Sequence, residues 1–226
     1  MSADVPVSAE VLVVVAAGPG LGRSVALRFA REGCAVGLLA RSAERTADLA
    51  GELRAAGAAD VAVAGGDVGD EASLRGALGD LRDALGPATV LVYNGSAFVQ
   101  GSGLTLSPAD LRLALDVGVV GAMVAVQDAA PAMREAGRGT IVLTGSVAAD
   151  RASTSASAVG VAKAGLRNLA LSLHKELAVD GVRAVTITID GVLQGPHALD
   201  LDEIADLYWR LHSSPEPPGP AVTYPG

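Results

Sequence analysis

Residues 10–31 run Glu10-Val-Leu-Val-Val-Val-Ala16, then Ala17-Gly18-Pro19-Gly20-Leu21-Gly22-Arg23, then Ser24-Val-Ala-Leu-Arg-Phe-Ala-Arg31. The first run is apolar at nearly every position, the pattern of a strand buried on both faces. From Leu21 to Arg31 the period changes, and Val25, Ala26, Phe29 and Ala30 fall on one side of a helix. The glycines between the two let the backbone turn tightly and approach an anion. The free N–H groups and dipole of a helix N-terminus favour a phosphate there. A plain turn also collects glycines, so the loop gains its meaning from what surrounds it.

The same alternation continues outward along the chain. Ala35–Ala40 reads as a second strand and Ala43–Ala56 as a helix ending at Gly57. Val61–Ala64 follows, then a helix from about Glu71 to Leu85 and the strand Ala88–Tyr93. Pro108 is suited to open a long helix reaching about Glu135. Thr140–Thr144 reads as a strand, Ala156–Val179 as a helix and Val182–Ile189 as a strand. Continuously apolar strands alternating with helices predict a doubly wound α/β domain, a parallel sheet with helices on both faces in three layers. No repeat or linker interrupts residues 1–212, which are expected to form one domain. Residues 213–226 are a Pro-rich tail, since Ser213-Ser-Pro-Glu-Pro-Pro-Gly-Pro220 cannot form a regular helix or central strand. Such a tail is ordered only where it docks.

Composition narrows the function. Half of the 226 residues are hydrophobic, which excludes a disordered chain. Seventeen basic against 25 acidic residues leave a net charge of −8, unsuited to phosphate backbones or anionic membranes. No apolar run approaches the ~18 residues of a membrane span, and the first ten residues lack the pattern of a secretory signal. A single cysteine, Cys34, excludes an internal disulfide and a cysteine-based metal cluster. The expectation is a cytoplasmic protein acting on a small molecule, with no metal, nucleic-acid or membrane partner.

Two features sharpen the ligand expected at the glycine loop. Arg41 ends the second strand, where an acidic residue would hold the ribose 2′-hydroxyl of NAD; an arginine there pairs with a 2′-phosphate and points to NADP(H). The alternative is a solvated residue at a helix start. Asp67, in Gly66-Asp67-Val68 after the third strand, is placed to accept from an adenine amino group or, equally, to cap a helix.

These residues, with Val92-Tyr93-Asn94-Gly95 where an N-N-A-G strand end is expected, Thr144-Gly145-Ser146, Lys163 and Ile189-Asp190-Gly191, resemble the short-chain dehydrogenase/reductase family from residue 8 to about 212. The resemblance implies a Rossmann-type sheet of about seven strands, and homodimers or homotetramers built on the two long helices. It implies cofactor contacts from Ala17, Gly18, Gly20, Leu21, Gly22, Arg41, Asp67, Val68, Asn94, Gly95, Lys163, Asp190 and Gly191. Ser146 would hydrogen-bond the substrate oxygen, and Lys163 would hold the nicotinamide ribose. Further substrate contacts are expected from Ser96, Tyr93, Asp150 and His197.

The match fails where the chemistry should be. Four residues before Lys163, at the family tyrosine, stands Val159; Gly118 takes the asparagine position, and Ala16 that of the first loop glycine. Valine has no proton for a developing alkoxide, and a positioned acid is worth ~10²–10⁴-fold. Ordinary carbonyl reduction is therefore not expected. Three functions remain open. One is an NADP(H)-dependent biosynthetic oxidoreductase acting on an imine, an iminium or a conjugated C=C. The second is a non-redox cyclase, dehydratase or isomerase on the same fold. The third is an inactive homologue serving as a partner subunit or binding module.

Overall fold

The computed structural model describes residues 10–42, 44–216 and 219–226. In chain order the elements are β1 (Val11–Val15), α1 (Leu21–Ala30), β2 (Ala35–Ala40), α2 (Glu44–Ala56) and β3 (Val61–Gly65). Then come α3 (Glu71–Leu85), β4 (Val90–Tyr93), α4 (Pro108–Leu115) and α5 (Gly121–Ala136). The chain ends with β5 (Gly139–Ser146), α6 (Ser157–Leu177), β6 (Val182–Ile189), α7 (Leu201–Ser213) and β7 (Ala221–Tyr224). The strands form one sheet in the order β3-β2-β1-β4-β5-β6-β7, and every neighbouring pair is parallel. This is the expected Rossmann-type, three-layer α/β architecture.

Burial on both faces explains the unbroken apolar strands. In β1, Val11, Val13 and Val15 belong to the core beneath α3, α5 and α6, whereas Leu12 and Val14 join the opposite core beneath α1, α2 and α7. Each large aliphatic side chain buried this way contributes roughly 1.5–3 kcal/mol. Caps set the helix boundaries: Asp70 accepts from the Ser73 amide, Ser107 from Asp110, and Asp200 from Asp202 and Glu203. Gly137 ends α5 in the left-handed region, with φ of 66°.

Two elements differ from expectation. The long helix from Pro108 is interrupted by a π turn, Asp116–Val120, in which the Gly121 amide reaches back five residues to the Asp116 carbonyl. The tail is no loose appendage, because Ala221–Tyr224 adds the seventh strand beside β6. Its prolines fall outside the strand, so the edge ladder forms unhindered. Among the described residues no helix is long and apolar enough to cross a membrane.

Parallel strands place all their carboxyl ends on one edge. The sheet order reverses between β1 and β4, so the glycine loop after β1 lies beside Asn94, whose amide donates to the Val15 carbonyl at 3.0 Å. In open α/β sheets this crevice is the ligand site.

Candidate active site

The glycine loop is shaped for an anion. The Ala17 amide donates to the Leu39 carbonyl, tying the loop to β2, and the Arg23 amide donates to the carbonyls of Gly18 and Gly20. Gly22 is required by space: a Cβ there would lie 3.1 Å from the Ala17 Cα. A Cβ on Gly18, by contrast, would meet nothing within 4 Å, leaving that side open. The first turn of α1 carries no acidic residue and no side-chain cap, so no side chain offsets the positive end of the helix dipole there. Ala16 has φ of 60°, a left-handed conformation that favours glycine, and the loop turns there with an alanine.

Around the loop the carboxyl edge gathers most of the expected residues. Arg41 is exposed at the end of β2 and makes no ion pair among the described residues. The Asp67 carboxylate accepts from the Gly69 amide at 2.9 Å, while the cap of α3 is Asp70. Val68 is buried, and Ser96 and His197 face solvent on the loops after β4 and β6. Gly191 is held against Leu199, into which a Cβ would run at 2.8 Å.

Beneath these lies a buried polar network that the motif did not announce. The Thr144 hydroxyl on β5 hydrogen-bonds the Asn94 side-chain oxygen and lies 2.7 Å from the hydroxyl of Tyr208 on α7. The Thr144 carbonyl accepts from Lys163 Nζ at 2.7 Å. Asn94 Nδ2 is buried with no partner. Lys163 is only 7% exposed, and desolvation pulls its pKa down to about 8. Ser146 Oγ accepts from the Ala148 amide, which leaves its own proton free to donate.

None of the three tyrosines offers a free phenol at this edge. The Tyr93 hydroxyl, expected near a substrate, points instead into the core beneath α3, α5 and α6 and donates to the Val117 carbonyl in the π turn. Gly95 and Gly121 make room for it, since a Cβ on either would collide with that hydroxyl. Burial pushes the phenol pKa upward, further from proton transfer. Tyr208 is held by Thr144, and the Tyr224 hydroxyl donates to Glu203 at 2.8 Å. All three tyrosines are thus committed.

The acidic residues at this edge are held in ion pairs. Arg151 clamps Asp190 with two hydrogen bonds of 2.8 Å, so the Asp190 carboxylate is occupied. Asp150 is paired with Arg167, whose guanidinium also donates to Thr188 Oγ1 and holds the carboxyl below its usual pKa. The loops after β4 and β5 are joined by bonds between Gly101 and both Ser155 and Ser157. Trp209 on α7 packs edge-on against Phe29, with ring centroids 5.1 Å apart. Cys34 is core, its thiol raised to about 11 mainly by burial.

A nicotinamide dinucleotide fits this edge. The α1 terminus without a side-chain cap, Arg41 with no ion pair among the described residues, and the orphaned Asn94 side-chain amide are donors that an anionic, hydrogen-bond-accepting ligand would satisfy, and no atom stands over Gly18 to block it. Fold and crevice together define a dinucleotide-binding α/β protein of the dehydrogenase type.

Comparison with known proteins agrees. The sequence profile of the short chain dehydrogenases matches residues 10–197, and the chain belongs to that family. It is 29% identical over 189 residues to the 3-dehydrosphinganine reductase TSC10B of Arabidopsis thaliana, covering 82% of this chain and 56% of the relative. The chain thus spans little more than half of that relative's length. It is 33% identical over 184 residues to a subunit, BbsC, of the (2S)-[(R)-hydroxy(phenyl)methyl]succinyl-CoA dehydrogenase of Thauera aromatica, covering 81% of this chain and 72% of that one. The L-sorbose reductase of Gluconobacter frateurii, solved with NADPH and L-sorbose, superposes with a TM-score of 0.91 at 21% identity, over 97% of this chain and 96% of that one.

Proposed function

We propose that this protein is an NADP(H)-dependent oxidoreductase of small-molecule biosynthesis whose substrate is reduced without a tyrosine acid, an imine, an iminium or a conjugated C=C. The observation that carries this is Val159 in the tyrosine position while the hydroxyls of Tyr93, Tyr208 and Tyr224 are each bound elsewhere. The glycine loop, Arg41 and Asp67 would hold the adenine half of the cofactor, and Lys163 its nicotinamide ribose. A bound reduced nicotinamide supplies a hydride. Ser146 then orients the substrate, and Val159 offers it an apolar wall in place of an acid.

Binding is tested first. NADPH at 100 times its Kd is expected to stabilise the fold by roughly 2.7 kcal/mol in thermal and calorimetric titrations. Arg41→Ala is expected to weaken NADPH by about 10–100-fold while leaving NADH nearly unchanged, as loss of a charge-assisted phosphate contact of ~1.5–3 kcal/mol predicts. NADPH consumption is then followed with imines, enones and ketones. Oxidation with ketones alone would sink the proposal.

A second function, a partner subunit without its own turnover, is favoured by one specific likeness: the Thauera relative is itself named a subunit of a dehydrogenase. Whichever holds, we infer a homo-oligomer. Leu113, Val120 and Met123 on α4, the π turn and α5, with Val161 on α6, are each 40–49% exposed and apolar. Light scattering is expected to give a dimer or tetramer that Val120→Asp with Met123→Asp converts to monomer. A monomeric native chain would refute it.

A further inference from the structure

We propose that a cleft at the amino edge of the sheet, remote from the glycine-loop crevice, is a second binding site that takes the phosphate group of a small metabolite. Glu10 before β1, Thr89 before β4, Arg138 and Thr140 on either side of the first residue of β5, Arg183 on β6 and His212 on α7 line this cleft of about 270 Å³. The crevice lies at the other end of the same strands, since β5 runs from Gly139 at the cleft to Ser146 at the carboxyl edge. At ~3.3 Å per residue the strand keeps the two roughly 23 Å apart, so one small ligand cannot touch both.

The walls hold donors that are fixed in place and only partly used. Arg183 Nη1 donates to the carbonyls of His212 at 2.9 Å and Ser214 at 2.7 Å, which anchors its charge at the end of α7. Arg138 Nη1 donates to Glu10 at 2.8 Å, while its Nε and Nη2 bond nothing among the described residues. The Arg138 side chain is 54% exposed, and an ion pair that exposed is weak and gives way to a competing anion. His212 Nδ1 lies 3.1 Å from Thr140 Oγ1. With the Thr140 hydroxyl donating to Nδ1, the ring proton sits on Nε2, which has no partner among the described residues and is free to donate to an oxyanion. The ring packs against Phe29 and Trp209, with centroids 5.8 and 5.6 Å away, which fixes its direction. Two guanidiniums and an imidazole against one carboxylate make this cleft a basic spot in a chain whose net charge is −8. Phosphate oxygens match such a set, because guanidinium and ring N–H groups give them charge-assisted hydrogen bonds. Burial holds the His212 pKa below the ordinary histidine value, Arg183 and Arg138 add to it, and Glu10 opposes them. A dianion beside Nε2 favours the charged ring, so binding takes up a proton and strengthens as pH falls through the titration of His212.

The test follows the histidine ring resonances of the full chain by NMR during titration with inorganic phosphate at pH 7, against sodium chloride of equal ionic strength. A saturable shift is expected at His212 and none at His174 on α6, the internal control; a response at His197 reads phosphate in the crevice instead. Arg138→Gln is expected to weaken the His212 response about tenfold, as loss of a charge-assisted contact predicts. Glu10→Gln is expected to tighten it several-fold, and partial unfolding cannot produce these opposite signs. Sulfate, a dianion throughout pH 5–8, is expected to bind more tightly at pH 5.5 than at pH 7.5 and to raise the pH at which His212 titrates. Glycerol 3-phosphate is expected to bind at least as tightly as phosphate, and glycerol not at all. A His212 response no larger than that of His174, or one that neither variant changes, overturns the proposal. Binding of inorganic phosphate without glycerol 3-phosphate would mean an adventitious ion only and overturns it equally. Stabilisation by NADPH is expected to be the same in Arg138→Gln as in the native chain, so the fate of this site and that of the cofactor assignment are read separately.

Discussion

Val159→Tyr is expected to confer NADPH-dependent reduction of simple ketones at a rate about 10²–10⁴ above the native chain, the range a positioned acid supplies. The substitution places a phenol one turn before Lys163 on α6, and the lysine's charge would lower the phenol's pKa toward neutrality. Ser146 already stands at the end of β5 with a free proton. The asparagine is harder to restore. A Cβ on Gly118 would sit 3.0 Å from the Ala162 Cβ, because the π turn and α6 approach closely there. Gly118→Asn therefore needs Ala162→Gly beside it. Ketone-dependent NADPH oxidation by Val159→Tyr, with binding of NADPH as control, is the measurement. A variant that binds NADPH and reduces nothing would show that the substrate pocket itself is gone and would favour the partner-subunit function.

Thr144→Val is expected to destabilise the fold by about 3 kcal/mol, although it conserves shape. The hydroxyl it removes satisfies both the Asn94 side-chain oxygen and the Tyr208 phenol. Tyr208 is fully buried and its phenol has no water to turn to, Asn94 is half-buried, and each unsatisfied buried partner costs about 1–3 kcal/mol. Tyr208→Phe removes one donor only and is expected to cost about 1 kcal/mol. In the double variant the orphaned phenol is gone, so the combined loss should fall short of the sum. Urea denaturation of the three variants reads this directly. A loss below ~1 kcal/mol for Thr144→Val would mean that the network does not bind β4, β5 and α7 together.

The strands, helices and glycine loop were legible because their signals are local. An unbroken apolar run, a change of period and a capping residue each lie within a dozen residues. The strand β7 was not legible, since its four residues follow a Pro-rich stretch and pair with β6 residues 35 positions earlier, Ala221 with Thr186. The π turn was hidden too, because residues 116–120 carry no breaker but Gly118.

The site divides along the same line. The order of motifs along the chain determined the family, the carboxyl-edge crevice and the absence of a tyrosine before Lys163. Only the tertiary structure decided what the remaining polar groups do. Tyr93, at the end of a strand beside the loop, turns into the core because Gly95 and Gly121 leave it space. Asp150 and Asp190 lie at the mouth but are claimed by Arg167 and Arg151. Thr144 and Tyr208, 64 residues apart, meet beneath Asn94. Sequence spacing sets the face and edge on which a side chain stands. Its hydrogen-bond partner comes from whichever element packs opposite, and that is settled only when the whole chain has folded.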